Sequence, residues 1–400
     1  MPEPPVTVAG IGADGWHGLS AATKTAISAG ALIIGSARQL ALLPDEVPGR
    51  RVELPSPLLP ALPELLDGAG PIVVLASGDP MFYGIGTTLV RLLGAERLDV
   101  RPHPSSVSLA AARLGWALPD VEIVSAVGRA LELLHPLLQP GRRVLVLVSS
   151  VDAPGQIRAL LRERGFGASP VTVLSDLGGP DESIGAEAAS PLCVVAIECV
   201  ADPRTVPLPR TPGLPEQAYE QDGQITKREI RAVALAALIP VPGQLLWDVG
   251  AGSGSVGIEW MRAHPASRAI AIEPRPDRRQ LIAGNAAALG VPGLRIVAGA
   301  APAALAGLPA PDAVFIGGGV SVDGVVAAAW AALTDGGRLV AHAVTLESEQ
   351  TLVHWQRRLG GTLTRIAIER AAALGGFTAW RPALPVVQWA VRKNDRAEEQ

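Results

Sequence analysis

The stretch Asp248-Val-Gly250-Ala251-Gly252-Ser253-Gly254-Ser-Val-Gly257 sets an acid ahead of alternate glycines, with an apolar-periodic segment behind them. Residues of these types at this spacing bind a ligand. Glycines admit backbone angles closed to other residues and let main-chain NH groups come close, and a helix opening after the turn adds its N-terminal field. The apolar run Leu245-Leu246-Trp247 predicts the strand before the turn. The run Arg268 to Ile272 predicts the next strand and closes on Glu273, placed to accept from the two hydroxyls of a ribose. Two other readings remain. Gly252-Ser-Gly254-Ser-Val-Gly257 also satisfies the G-x-G-x-x-G dinucleotide fingerprint, although Asp248 would then stand beside a pyrophosphate. A plain glycine-rich turn is the other.

The first half carries three further elements. Gly10-Ile-Gly12-Ala13-Asp14-Gly15 follows an apolar run, as does Ser77-Gly78-Asp79-Pro80-Met81-Phe82-Tyr83-Gly84, at the kind of strand end where open α/β sheets place ligands. Pro104-Ser105-Ser106-Val-Ser108 is a hydroxyl-rich turn that opens a helix, and helix capping explains its serines equally well. Among cations, Lys227, Arg228 and Arg231 crowd one short segment. Positions 227 and 231 share a helix face, suited to anchoring substrate carboxylates or simply a solvated helix start. Thr226 is placed to cap that helix. Arg275, Arg278 and Arg279 read as solvated, and Trp247 and Trp260 as core.

These groups need a frame, and 400 residues exceed one ordinary domain. Five prolines in 201–224 predict a linker, giving a first domain at 1–203, a linker at 204–222 and a second domain at 223–394. Both halves alternate apolar strands with helical patterns, the signature of α/β folds. Strands are predicted near 6–11, 31–35, 71–77, 98–102, 121–127, 143–149, 170–175 and 191–200, with a break near 102–105. In the second half a helix at 226–239 precedes strands at 245–249, 268–273, 295–299, 312–317 and 337–344. Runs at 361–370 and 386–391 complete seven strands, and the polar tail 395–400 is expected to fray.

A net charge of −4 gives no basic field, which argues against a nucleic-acid partner. No apolar run reaches the roughly 18 residues of a membrane span, and the start Met-Pro-Glu-Pro-Pro lacks a signal peptide's basic region and apolar core, so a cytoplasmic protein is expected. Cys193 and Cys199 lie roughly 20 Å apart along one strand-like run, which reads as two buried free thiols. The six histidines have no metal-ligand spacing, and no protein-bound metal is expected.

The acid–glycine–acid pattern of the second half resembles the S-adenosylmethionine (SAM) site of the seven-stranded, Rossmann-like methyltransferases. Asp248 would then lie near the methionine ammonium. The strings GIGADGWHGLS, SGDPMFYGIG and HPSSVSLAAARLGW, in this order, resemble the tetrapyrrole methylases over roughly residues 6–200. DGQITKREIR, AGAAP (298–302) and DAVFIGGG (312–319) resemble the precorrin methyltransferases that also decarboxylate, over about 222–393. The resemblance implies two α/β subdomains gripping one SAM through main-chain groups, then a Rossmann-like domain holding a second. It further implies methylation of carbons 5 and 15 of a precorrin in cobalamin biosynthesis, with decarboxylation of the C12 acetate, by a homo-oligomer. Carried onto this chain, the cofactor residues are Gly10, Gly12, Gly78, Asp79, Pro80, Ser105 and Ser106 in the first half. In the second they are Thr226, Asp248, Gly250, Ala251, Gly252, Ser253, Gly254, Glu273, Gly299, Ala300 and Ala301, with Lys227 and Arg231 as catalytic candidates. Two departures stand out: Ala13 replaces a common proline, and Ala300 replaces an aspartate that would accept from the adenine amino group. Other readings are an unrelated small-molecule substrate, or one half serving as a non-catalytic module.

Overall fold

The computed structural model describes residues 5–55, 57–66 and 70–394; the tail 395–400 lies outside them. Two compact units form, one running to Val206 and the other from Pro207, with Glu132–Pro136 grouped in the second.

The first unit holds two sheets. Strands β1 (Val6–Ile11), β2 (Leu32–Gly35), β3 (Arg50–Glu53), β4 (Ile72–Ser77) and β5 (Leu98–Arg101) are all parallel, in the order β3-β2-β4-β1-β5. Both faces of this sheet are covered, so its central strands are apolar without a break. Alternate side chains go to opposite sides: Ile33, Val73 and Leu75 join Ile27 and Leu43, whereas Ile34 and Val74 join Leu62 and Leu89. The second sheet contains β6 (Val121–Ser125), β7 (Arg143–Val148), β8 (Val171–Ser175), β9 (Ser183–Gly185) and β10 (Cys193–Glu198), in the order β6-β7-β10-β8-β9. The break near 102–105 falls after the last strand of the first sheet. Strands β3 and β9 were not anticipated; both are short, and neither has a buried residue to give an apolar alternation. Cys193 and Cys199 are buried free thiols, as read from their spacing.

The second unit is one seven-stranded sheet. Its strands are β11 (Leu245–Val249), β12 (Arg268–Glu273), β13 (Arg295–Ala298), β14 (Ala313–Ile316), β15 (Arg338–Ala343), β16 (Thr362–Ile366) and, beyond a separate hairpin, β19 (Val386–Arg392). The order is β13-β12-β11-β14-β15-β19-β16; β13 to β15 run parallel, and β19 lies antiparallel between β15 and β16. This is the α/β architecture of the Rossmann-like methyltransferases. The run at 361–370 is not one strand. Its end belongs to a hairpin of β17 (Glu369–Leu374) and β18 (Phe377–Pro382), folded about Gly375-Gly376, a two-residue turn that a Gly-Gly pair favours. No helix of the described residues is long and apolar enough to cross a membrane.

The proline-rich segment is not a free tether after residue 207. Leu214 and Tyr219 are buried in the second core, and Arg262 donates to the carbonyls of Leu208 and Pro209. Its prolines break helix and strand, but they do not prevent packing.

Candidate functional site

In the second unit, the glycine turn hangs from the end of the neighbouring strand: the amides of Gly250 and Ala251 both donate to the carbonyl of Ile272, at 3.0 and 3.2 Å. Gly250, Gly252 and Gly254 all have positive φ, and a Cβ at Gly250 would come within 2.8 Å of the Gly318 main chain. Glu273 closes the other side, its Oε2 accepting from Gly252 N at 2.9 Å and its Oε1 from Arg275 N at 3.1 Å. Each oxygen keeps a lone pair for a hydroxyl, as a ribose would require. Ser253 Oγ is buried in this turn without a partner. Gly299, Ala300 and Ala301 follow β13, and the carbonyl of Ala300 accepts from Ala304 N at 3.0 Å. All of these residues gather at the carboxyl ends of β11, β12 and β13, as ligand contacts do in open parallel sheets. The cradle a Cβ would fill and the orphaned serine hydroxyl fit an adenosine-like group. Ala300 offers no side-chain acceptor.

Asp248 sits differently from expectation. It is 1% exposed, and its Oδ2 accepts from Gly257 N at 2.9 Å inside the following helix, Ser255–Ala263. Burial pushes its carboxyl up to about 7, against the pull of the Gly257 amide and with help from the charge of Glu273. The residue clamps strand to helix behind the turn, and the expected contact with a methionine ammonium is corrected accordingly.

In the first unit the three glycine and serine elements converge. Gly78 N donates to the carbonyl of Ile11 at 3.1 Å, and His103 N donates to the carbonyl of Gly78 at 3.3 Å. A Cβ at Gly10 would lie 2.0 Å from the Gly78 carbonyl, and one at Gly78, where φ is +59°, would lie 3.1 Å from Ser105 Cα. His103 Nε2 and Asp14 Oδ2, 3.1 Å apart, tie the first loop to the third. Gly12, Ala13, Gly78, Ser105 and Ser106 line a cleft of about 640 Å³, a volume that suits a small-molecule ligand. Asp79 and Pro80 shape their own loop: Asp79 Oδ1 accepts from Met81 N at 2.8 Å, and the Pro80 carbonyl accepts from Gly86 N at 2.9 Å. Ser105 Oγ caps the helix Ser106–Leu114.

The cation segment splits. Arg231 is fully buried, its Nε donating to Glu259 Oε1 at 2.6 Å and its other nitrogens to the carbonyls of Thr226 and Leu214. Glu259 also takes Gly213 N, Leu214 N and the Tyr219 hydroxyl, at 2.6, 3.0 and 2.9 Å. A guanidinium so engaged cannot anchor a substrate, which corrects the catalytic expectation for Arg231. Thr226 is not the cap either. The helix spans Arg228–Leu238 with Lys227 at the N-cap and no side-chain capping bond, and Thr226 serves through its carbonyl. Lys227 is exposed. Trp247 and Trp260 are core residues, as read. Three residues carry no motif that the sequence reading used: Glu259, and Arg38 and Gln39 in the first cleft. The Ser36-x-x-Gln39 capping pattern directly after a strand was the available signal.

Comparison with known proteins gives two family matches: Tetrapyrrole (Corrin/Porphyrin) Methylases over residues 5–190, and Precorrin methyltransferase domain over residues 217–393. The chain is 50% identical to a Sinorhizobium precorrin-6Y C(5,15)-methyltransferase [decarboxylating], covering 98% of this chain and 97% of that protein. Two shorter relatives each match less than half of it. A probable cobalt-precorrin-6B C(15)-methyltransferase (decarboxylating) of Pyrobaculum calidifontis is 35% identical over 44% of this chain and 93% of its own length. A cobalt-precorrin-7 C(5)-methyltransferase of Salmonella typhimurium is 33% identical over 45% of this chain and 88% of its own.

Proposed function

Because the chain belongs to the family of decarboxylating precorrin-6Y C(5,15)-methyltransferases, we propose that its halves divide three steps on one macrocycle. It is a SAM-dependent C-methyltransferase of cobalamin biosynthesis. In this reading the first domain (1–203) methylates carbon 5. The second (223–394) methylates carbon 15 and releases the carboxyl of the C12 acetate as carbon dioxide. The observation that carries the division is the presence of two separate glycine cradles, each at the carboxyl ends of parallel strands in its own sheet. The two half-length relatives, one named for carbon 5 and the other for carbon 15, support it.

SAM, when bound, supplies an electrophilic methyl group on a sulfonium. The electron-rich bridging carbons of the macrocycle would be the nucleophile, so the chain needs no strong base, and its part is to hold the two reactants together. Gly12 and Gly78 would hold the first cofactor through main chain, and Gly10 makes room for the Gly78 loop beside them. Gly250, Gly252, Gly254 and Ser253 hold the second, with Glu273 on the ribose hydroxyls. For decarboxylation the protonated pyrrole system serves as electron sink. The protein holds the acetate where few strong donors stabilise its charge, and Lys227 is the candidate anchor for another substrate carboxylate. A homo-oligomer belongs to this reading: Phe377 and Trp380, 83% and 69% exposed on the β17–β18 hairpin, offer interface-like apolar surface. So does a cytoplasmic setting.

Titration of the whole chain with SAM tests the proposal. Two sites are expected, and Glu273→Ala should remove one by weakening it at least ten-fold. A single site in the unaltered chain would refute the two-cofactor reading.

A further inference from the structure

The cleft of the first unit holds a second polar feature that the cofactor cradle does not use. Among the described residues lining it, Arg38 is the one cation and Asp176 the one carboxylate. Arg38 opens onto the cleft just past β2, and its Nη2 donates to Ser77 Oγ, the last residue of β4, at 2.8 Å. Gln39 Nε2 donates to the same oxygen at 3.1 Å. The Gln39 amide has its orientation set by the capping box, because its Oε1 accepts from Ser36 N at 2.8 Å. Two donors therefore occupy both lone pairs of Ser77 Oγ, and its own proton is left to donate. The remaining guanidinium NH groups and this hydroxyl together present only donors. Burial lowers the Arg38 guanidinium somewhat and the charge of Asp176 opposes that, but the group stays cationic.

The sheet order places this donor patch. The cofactor cradle stands at the ends of β1 and β4 and after β5, whereas Arg38 stands past β2, on the far side of β4 from β1. Two strand spacings put it roughly 10 Å to one side of Gly10 and Gly12. A planar donor fork at the flank of a cofactor site suits a carboxylate. SAM carries one carboxylate, whereas a precorrin carries many along its rim. We propose that Arg38, with the Ser77 hydroxyl, anchors an acidic side chain of the macrocycle and sets which bridging carbon meets the methyl group in the first cleft. This rests on the tetrapyrrole reading above and adds its specificity determinant.

The test uses the full chain with Arg38→Gln and Arg38→Lys. Arg38 is exposed, so the variants should keep the unaltered thermal midpoint. For Arg38→Gln the expected result is a 10- to 100-fold rise in KM of the precorrin for carbon-5 methylation, the loss of about one charge-assisted contact. SAM stoichiometry and affinity should not change, nor should carbon-15 methylation and decarboxylation. Arg38→Lys should recover part of the loss, since charge without the fork is half the device. A carbon-5 KM that stays within two-fold in Arg38→Gln overturns the anchor alone. Loss of one SAM site in Arg38→Gln overturns the macrocycle assignment, because the carboxylate held is then the cofactor's own. Absence of carbon-5 methylation in the unaltered chain overturns both the anchor and the reading beneath it.

Discussion

Replacing Asp248 by asparagine should stabilise the second unit, and only above about pH 4. The carboxyl is closed in behind the glycine turn and titrates at about 7, chiefly because burial penalises its charge. In the unfolded chain an aspartate titrates near 3.9, so the difference is about three pH units, worth about 1.4 kcal/mol each. Between about pH 4 and 7 the folded state keeps a proton that the unfolded state has released. Stability from this group therefore falls as pH rises through that window, and is flat above it. The total approaches 4 kcal/mol at pH 8. Asparagine keeps an oxygen for the Gly257 amide and removes the titration. Six of the eight tryptophans follow residue 207, so tryptophan fluorescence in urea reports mainly the second unit. At about 2 kcal/mol per molar urea, the asparagine variant should unfold about 2 M later at pH 8 and together with the unaltered chain at pH 4. Equal midpoints at pH 8 would refute the argument, and so would a variant that is weaker at every pH.

Gly10→Ala should cost the first cofactor site and carbon-5 methylation while the second site keeps its affinity, because the new Cβ would sit 2.0 Å from the Gly78 carbonyl; calorimetric titration should fall from two sites to one. Glu259→Ala leaves Arg231 buried without its carboxylate and should destabilise the second unit by about 3–5 kcal/mol, read from its urea midpoint. Lys227→Ala should raise KM or lower kcat for decarboxylation by about 1.5–3 kcal/mol with SAM affinity within about two-fold, and an unchanged decarboxylation rate would leave the residue as a solvated helix start.

The fold was legible where the code is local. β1, β4, β11 and β12 announce themselves as apolar runs ending in glycine or acid, because a parallel strand covered on both faces must be apolar and a close turn must be glycine. The 361–370 run misled because an exposed hairpin strand, unlike a buried one, carries no burial pattern to mark where the sheet strand ends. The sites were half legible. Their glycines and Glu273 were readable, but the burial of Asp248 against the Gly257 amide was not.

From the sequence alone came the two α/β halves, the two glycine cradles and the acid at the end of β12. Each depends on backbone angles and strand periodicity within about twenty residues, and such requirements are written in order along the chain. The tertiary structure alone decided what the polar side chains do. Lys227 and Arg231 are four residues apart on one predicted face, yet one is exposed and the other is buried against Glu259, 28 residues on. Arg38 belongs to none of the motifs in the sequence, and it is Ser77, 39 residues away, that places it in the cleft. Whether a charge meets water, ligand or a buried counter-charge is set by partners remote in sequence, and only the folded chain brings those partners together.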